Sequence, residues 1–292
     1  MVQWDGKSKG VVLGYKIFIF SIEKFGIGFA YFILRFVSFY YLIFSFEGTK
    51  SSFYYFHKRL GYSKLNSLIK VYKSYFVFGQ TIIDKVAITS GLGDKYTYEH
   101  DGGEKIIELL KNKKGGFLIS AHVGNFEIAQ HFFSEVDEHS QICLVTTDNE
   151  HQAIKEYLES ISAKSAMKFI IVKEDMSHIF EIHNALMDNN LICFTGDRYF
   201  EGSKILYSDL FGKKAGFPAG PFLIGSRIEV PVVFVYVMKE SAKHYHLYTR
   251  EANFKFKDAQ GLLNKYTESI EWILKKYPYQ WFNYFDFWDE LK

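Results

Sequence analysis

Residues 117–127 read Phe-Leu-Ile-Ser-Ala-His-Val-Gly-Asn-Phe-Glu, and they decide how the chain folds around its chemistry. The first five are a short run of apolar and small residues, the pattern of a buried strand. Asn125 is a preferred helix N-cap and stands ahead of residues 126–133, which have helical spacing. A strand ending at Ala121 and a helix starting near Asn125 put His122 on the turn at the strand's carboxyl end, where open α/β sheets place ligands. Gly124 lets a substrate or another backbone come close. Glu127 falls in the helix's first turn, where the helix dipole favours an ionised carboxylate.

Further short apolar runs follow at residues 142–146 (ICLVT), 169–172, 191–195 (LICFT) and 230–238 (VPVVFVYVM). Residues 150–161 and 176–187 have helical spacing between them. This alternation predicts an α/β fold: a mixed, mostly parallel central sheet flanked by helices. Residues 204–211 and 244–250 read as additional strands, and 258–276 as an amphipathic helix. Residues 81–292 therefore read as one domain, with no internal repeat or low-complexity linker.

The N-terminal side is different. Residues 11–46 are almost wholly apolar, broken by Lys16, Glu23, Lys24 and Arg35. A membrane-spanning helix needs roughly 20 mostly apolar residues. Residues 25–46 are long enough, but Arg35 lies at their middle, where a charge costs about 2.5–3.5 kcal/mol. A segment embedded in the membrane interface, with Arg35 reaching the head groups, fits best; a single-pass anchor and a soluble core helix pair are the alternatives. Residues 48–83 carry no acid and six bases, Lys50, Lys58, Arg59, Lys64, Lys70 and Lys73, interleaved with Tyr and Phe. Beside a greasy N-terminus that pattern suits anionic lipid, although a solvated helix face or a single-strand nucleic-acid groove would look similar. Residues 1–80 thus read as a hydrophobic and basic membrane-associating region.

Composition narrows the classes. The 292 residues hold 35 Lys plus Arg against 33 Asp plus Glu, a net charge of +2 that gives no case for a nucleic-acid partner. Hydrophobic residues make up 48%, so the chain is globular and not disordered. Aromatic residues reach 19%, which suits a greasy cleft or a membrane contact. Cys143 and Cys193 sit singly in apolar runs, excluding a disulfide framework and suiting a cytoplasmic setting. The apolar N-terminal region starts late, runs long and has no small-residue cleavage site, so no secretory signal is read. His178 and His183 are five apart and miss zinc spacing, His244 and His246 form only a two-residue pattern, and no metal is expected. Gly91-Leu92-Gly93 lacks the third glycine of a dinucleotide fingerprint.

A neutral imidazole on such a turn can take a proton from a hydroxyl or amine, and a carboxylate on its other nitrogen fixes the tautomer. No G-x-S-x-G elbow accompanies it, so the nucleophile comes from a substrate. Amides at the helix start are available to an oxyanion. By itself a His and Glu five apart is more often a structural pair, and the strand–turn–helix setting brings the two readings level.

With its flanks, the segment resembles the H-x4-D/E motif of the lysophospholipid acyltransferase superfamily, closest to the lipid A late acyltransferase branch (lauroyl or myristoyl transferases). Gly196-Asp197-Arg198 behind a strand, Phe211-Gly212-Lys213-Lys214 leading into Phe217-Pro218-Ala219-Gly220-Pro221, and Tyr277-Pro278-Tyr279-Gln280-Trp281-Phe282 resemble later blocks of that branch. The resemblance implies an O-acyltransferase that moves a fatty acyl chain from an acyl-carrier-protein or coenzyme A thioester. The acceptor is a hydroxyl or amine of an envelope lipid such as a lipid A precursor. It implies His122 as general base and Glu127 as its orienting partner. Arg198, Lys213 and Lys214 would contact phosphate or pantetheine, and Asp197 would hold Arg198 or the acceptor. Gly124, Asn125 and Gly220 would lie along the substrate. No cofactor or metal is implied, and the expected place is the cytoplasmic face of the inner membrane, peripheral, monotopic or single-pass.

One departure matters. The branch usually carries bases after the aromatic box, whereas residues 280–288 read QWFNYFDFW. A less charged acceptor, such as a glycerolipid, an amino-acid lipid or a polyene-type lipid, is the nearest alternative. A thioesterase-like hydrolase and a non-catalytic membrane-binding protein on the same fold are the others.

Overall fold

The computed structural model describes residues 20–22, 24–133, 140–146, 168–173, 175–199 and 202–291. Helices α1 (Ile27–Phe44), α2 (Phe46–Tyr54) and α3 (Lys64–Ala87) come first, with a π-helical turn, Tyr55–Arg59, between the last two. After β1 (Thr97–Asp101) and α4 (Gly103–Lys111) come β2 (Gly116–Ser120), a 3-10 turn (Phe126–Ile128), α5 (Ala129–Phe133), β3 (Ile142–Thr146) and β4 (Lys168–Ile171). Then α6 (His178–Met187) leads to β5 (Leu191–Thr195), the hairpin β6 (Ile205–Leu210) and β7 (Lys213–Pro218), and α7 (Ala219–Gly225). Strands β8 (Val232–Lys239) and β9 (His244–Glu251) and helix α8 (Ala259–Lys276) complete the order.

Seven strands form one sheet in the order β1-β9-β8-β2-β5-β3-β4. Only the β8–β9 pairing is antiparallel within it. The expected α/β class, mixed and mostly parallel, is what the chain adopts. Both faces are buried, which is why β2, β5 and β8 are near-continuous apolar runs. Phe117 and Ile119 of β2 and Phe234 and Tyr236 of β8 meet Leu262, Tyr266 and Ile270 of α8 on one face. Leu118, Val235 and Val237 meet Leu109 of α4, Ile83 of α3 and Leu34 of α1 on the other.

Several expected boundaries shift. The turn formers at residues 211–212 close a hairpin, with Phe211 and Gly212 both at positive φ, so Lys213 and Lys214 open β7 and pair with Leu210 and Asp209. The helix expected from residue 126 begins as a 3-10 turn, and the Asn125 side chain makes no cap hydrogen bond. Strand β1 has only five residues, mostly exposed and polar, and carries no apolar run that would announce it. The helix expected at residues 150–161 lies outside the described residues. Helix α3 runs unbroken through residue 80 and contributes to both faces' cores.

A buried charge pair ties α3 to the sheet. Lys239 Nζ lies 2.5 Å from Asp84 Oδ2, with side-chain exposures of 4% and 0%. Asp84 also accepts from the hydroxyls of Tyr31, Tyr96 and Tyr245, while Lys239 donates further to the Ala242 carbonyl (2.8 Å) and the Tyr31 oxygen (3.1 Å). Every donor of the ammonium group is used, the condition under which a buried ion is tolerated. Burial, followed by the charge of Asp84, pushes all three phenols up. Replacing Lys239 by Met should cost about 3–5 kcal/mol of unfolding free energy by leaving Asp84 unpaired. Adding Asp84→Leu should recover most of that loss, and urea denaturation of the two variants measures both.

Candidate active site

Strands β2 and β5 are parallel neighbours in register, Ser120 opposite Thr195. Two residues beyond each end, the chain therefore carries His122 and Asp197 side by side at the carboxyl edge of the sheet. The turn after β5 needs Gly196, because a Cβ there would come within 2.9 Å of the Tyr266 ring. Tyr266 in turn donates to the Ser120 carbonyl at 2.8 Å, so the core of α8 fixes both strand ends together.

His122 Nδ1 donates to Asp197 Oδ1 at 2.7 Å, and the His122 backbone N–H reaches both carboxylate oxygens at 3.0 and 3.1 Å. Asn283 Nδ2 (3.0 Å) and Trp281 Nε1 (3.3 Å) donate to the second oxygen, Oδ2. Asp197 is fully enclosed while the His122 side chain is 24% exposed. Burial alone would raise the Asp197 carboxyl, but the charge of His122, its ring and backbone hydrogen bonds and the charge of Arg198 outweigh burial. They hold it well below the usual carboxylate range. An ionised carboxylate only accepts, so the proton of this contact sits on Nδ1 and proton exchange falls to Nε2.

A third segment closes the arrangement. Residues 280–283 run as a strap along the His122 turn: Phe282 N–H donates to the His122 carbonyl at 2.9 Å, Gly124 N–H to the Gln280 carbonyl at 2.8 Å, and Val123 bridges Trp281. The Gln280 side chain clasps the Lys239 backbone from both sides, at 2.7 and 3.0 Å. Arg198 holds the strap from below through Nε to Asn283 Oδ1 (2.7 Å) and Nη2 to the Phe282 carbonyl (2.8 Å).

The expected site residues distribute unevenly over this frame. His122, Asp197 and Arg198 are brought together. The carboxylate on the His122 ring is Asp197, whereas the sequence pattern had assigned Glu127 to it; Glu127 is ion-paired with Lys85 of α3. Gly124 has φ 67°, and a Cβ there would meet the Val237 carbonyl at 2.2 Å, so the approaching backbone is β8 of the same chain. Asn125 is buried, its amide donating to the Thr81 carbonyl (3.0 Å) and to Tyr245 (3.3 Å). The N–H groups of Gly124 and Asn125 are already bonded to the Gln280 and Val237 carbonyls, so an oxyanion would need other donors. Lys213 pairs with Glu290 at 2.5 Å, Lys214 lies 4.7 Å from the centre of the Tyr207 ring, and Gly220 is exposed at the start of α7. Trp281 and Asn283 were missed as site residues; their one signal in the sequence is the Gln-Trp box, which says nothing about what the side chains face.

A His–Asp pair at the carboxyl ends of parallel strands, with the histidine side chain partly exposed, stands where open α/β sheets place their ligands. The family model for bacterial lipid A biosynthesis acyltransferases matches residues 71–288, most of the chain and the whole of this site, and the chain belongs to that family. Membership makes it an acyltransferase of lipid A biosynthesis in general terms. A search among curated proteins gave no match.

The low carboxyl value of Asp197 has a sign that can be measured. An unfolded Asp titrates near 3.9, so Asp197 contributes its full stability above about pH 4 and loses it as pH falls towards the folded value. The stability difference between wild type and Asp197→Asn should be largest above about pH 4 and shrink on acidification, read from urea midpoints across pH.

Proposed function

We propose that the protein transfers a fatty acyl chain from an acyl-carrier-protein or coenzyme A thioester to a hydroxyl of a lipid A precursor, at the cytoplasmic face of the inner membrane. The carrying observation is the His122–Asp197 pair on the strand ends of a chain in this family. His122 Nε2 takes the proton from the acceptor hydroxyl, and its oxygen attacks the thioester carbonyl. The new C–O bond forms, the C–S bond breaks, and the imidazolium returns its proton to the leaving thiolate. Asp197 orients the ring and stabilises the imidazolium. Glu127 is the second carboxylate for that role and would reach it by leaving Lys85. Residues 1–80 serve membrane association, whether monotopic or single-pass, and 81–292 the chemistry. Lys213 and Lys214, on the outer hairpin, are assigned to phosphates of donor or acceptor.

An apolar cavity of about 250 Å³ supports an acyl substrate. It lies between the sheet and helices α4 and α5, lined by Leu118, Val235, Val237, Ile106 and Phe133, and it reaches Phe126, next to Glu127. Such a slot accepts alkyl groups at about 0.8 kcal/mol per buried methylene. Ile106→Phe, at the α4 wall, should shift the preferred donor to shorter chains. Competition between thioesters of different length reads this, and an unchanged preference would place the chain elsewhere.

The primary test incubates wild type and variants with acyl thioesters and membrane lipids and follows products by mass spectrometry. A lipid acylated by wild type but not by His122→Ala is expected, and turnover retained without His122 would overturn the mechanism. Acylated glycerolipid or amino-acid lipid would move the acceptor, and free fatty acid alone would mean a hydrolase. Asp197→Asn should lower turnover by roughly three to four orders of magnitude. A larger loss in Glu127→Gln than in Asp197→Asn would return the orienting role to Glu127.

A further inference from the structure

The outer face of α1 is a continuous ladder of rings. Phe25, Phe29, Phe32, Phe36, Phe39 and Tyr40 are all exposed, and successive rings from Phe25 to Phe36 lie 4.8–6.4 Å apart. The spacing of Phe29, Phe32, Phe36 and Tyr40 by three and four residues puts those rings on one side of α1, and Phe25 stands just before its first turn. Leu65, Leu68 and Ile69 extend the patch onto the first turns of α3, also exposed. A run of exposed rings of this extent on one helix face marks an interaction site.

The opposite face of α1 is fastened to the protein along its whole length. Near its start, Tyr31 donates to Asp84 and accepts from Lys239. In the middle, Leu34 packs so closely on Gly79 that a Cβ there would meet it at 2.2 Å, and Tyr72 donates to the Arg35 carbonyl at 3.4 Å. Towards the end, the Tyr41 ring lies 6.1 Å from Tyr75. A bilayer-crossing α1 would carry the Asp84–Lys239 pair and the β8–β9 turn into hydrocarbon with it, where buried charge is least tolerated.

The charges around the patch name the partner. Residues 24–83 hold eight Lys or Arg and one acid, Glu47. Arg35 on α1 and Lys24 just before it are exposed; on α3, the exposed Lys64 and Lys73 flank the apolar stripe on either side. Rings below with cations at the shoulders are the arrangement of a helix lying at the boundary of an anionic leaflet.

We infer that α1 and the first turns of α3 form an in-plane docking face for an anionic lipid surface, so α1 lies on one leaflet without crossing it. The inference rests on the proposed association with the cytoplasmic face and gives it a geometry; its tests read no turnover, so its failure is distinguishable from a failure of acyl transfer. Lys24→Cys and Lys50→Cys, on either side of α1, should both react with a membrane-impermeant maleimide in inside-out vesicles and neither in sphaeroplasts. Reaction from opposite sides would overturn the inference. The purified full-length chain should sediment with phosphatidylethanolamine–phosphatidylglycerol vesicles. Phe32→Ser with Phe36→Ser should abolish that without moving the melting temperature, and retained binding would refute the ring face. Lys64→Gln with Lys73→Gln should weaken binding about thirtyfold; no change, or equal binding to phosphatidylcholine vesicles, would refute the anionic partner.

Discussion

The Asp197 carboxylate is the point on which this structure depends. It is enclosed by protein, and a carboxylate without water must be given hydrogen bonds by the chain itself. Those bonds come from His122 at the end of β2 and from Trp281 and Asn283 beyond α8. Three segments far apart in sequence are thereby held at one negative charge. The same contacts set the orientation of the imidazole, so one group both ties the fold and fixes the ring to which the proposed chemistry is assigned.

Much of the fold was legible because it is written in short-range patterns. The runs at residues 117–121, 142–146, 191–195 and 230–238 are strands, as expected for a sheet buried on both faces, and Asp258 caps α8 through the Gly261 N–H. What was not legible is two-dimensional. Nothing in the spacing of Glu127 or Asp197 says which will face His122, since that depends on β5 lying beside β2 rather than on distance along the chain. Likewise Lys213 and Lys214 look like a turn until β6 is known to pair with them. The buried cluster at Asp84 was invisible for the same reason: its partners Tyr31, Tyr96, Lys239 and Tyr245 span more than two hundred residues and share no local pattern.

That cluster also explains why the N-terminal helices are not a detachable appendage. Asp84 lies on α3, Tyr31 on α1 and Lys239 at the end of β8, where the Gln280 side chain grips the backbone. The aromatic surface and the His122 turn are therefore connected through a few contacts. The heavy use of Phe and Tyr divides accordingly, into rings that remain outside on α1 and rings such as Trp281, Phe282 and Trp288 that fill the interior near the strap.

The strap has a consequence for the order in which the molecule comes to life. Chains are made from the amino end, and early segments meet their surroundings before later ones exist. Here α1 and α3 emerge first, then the strands bearing His122 and Asp197, and only afterwards Gln280, Trp281, Phe282 and Asn283. Until those four arrive, Asp197 lacks two of its donors and the His122 turn lacks its backbone partner. The His122–Asp197 pair is thus completed only once the last segment of the fold has been made.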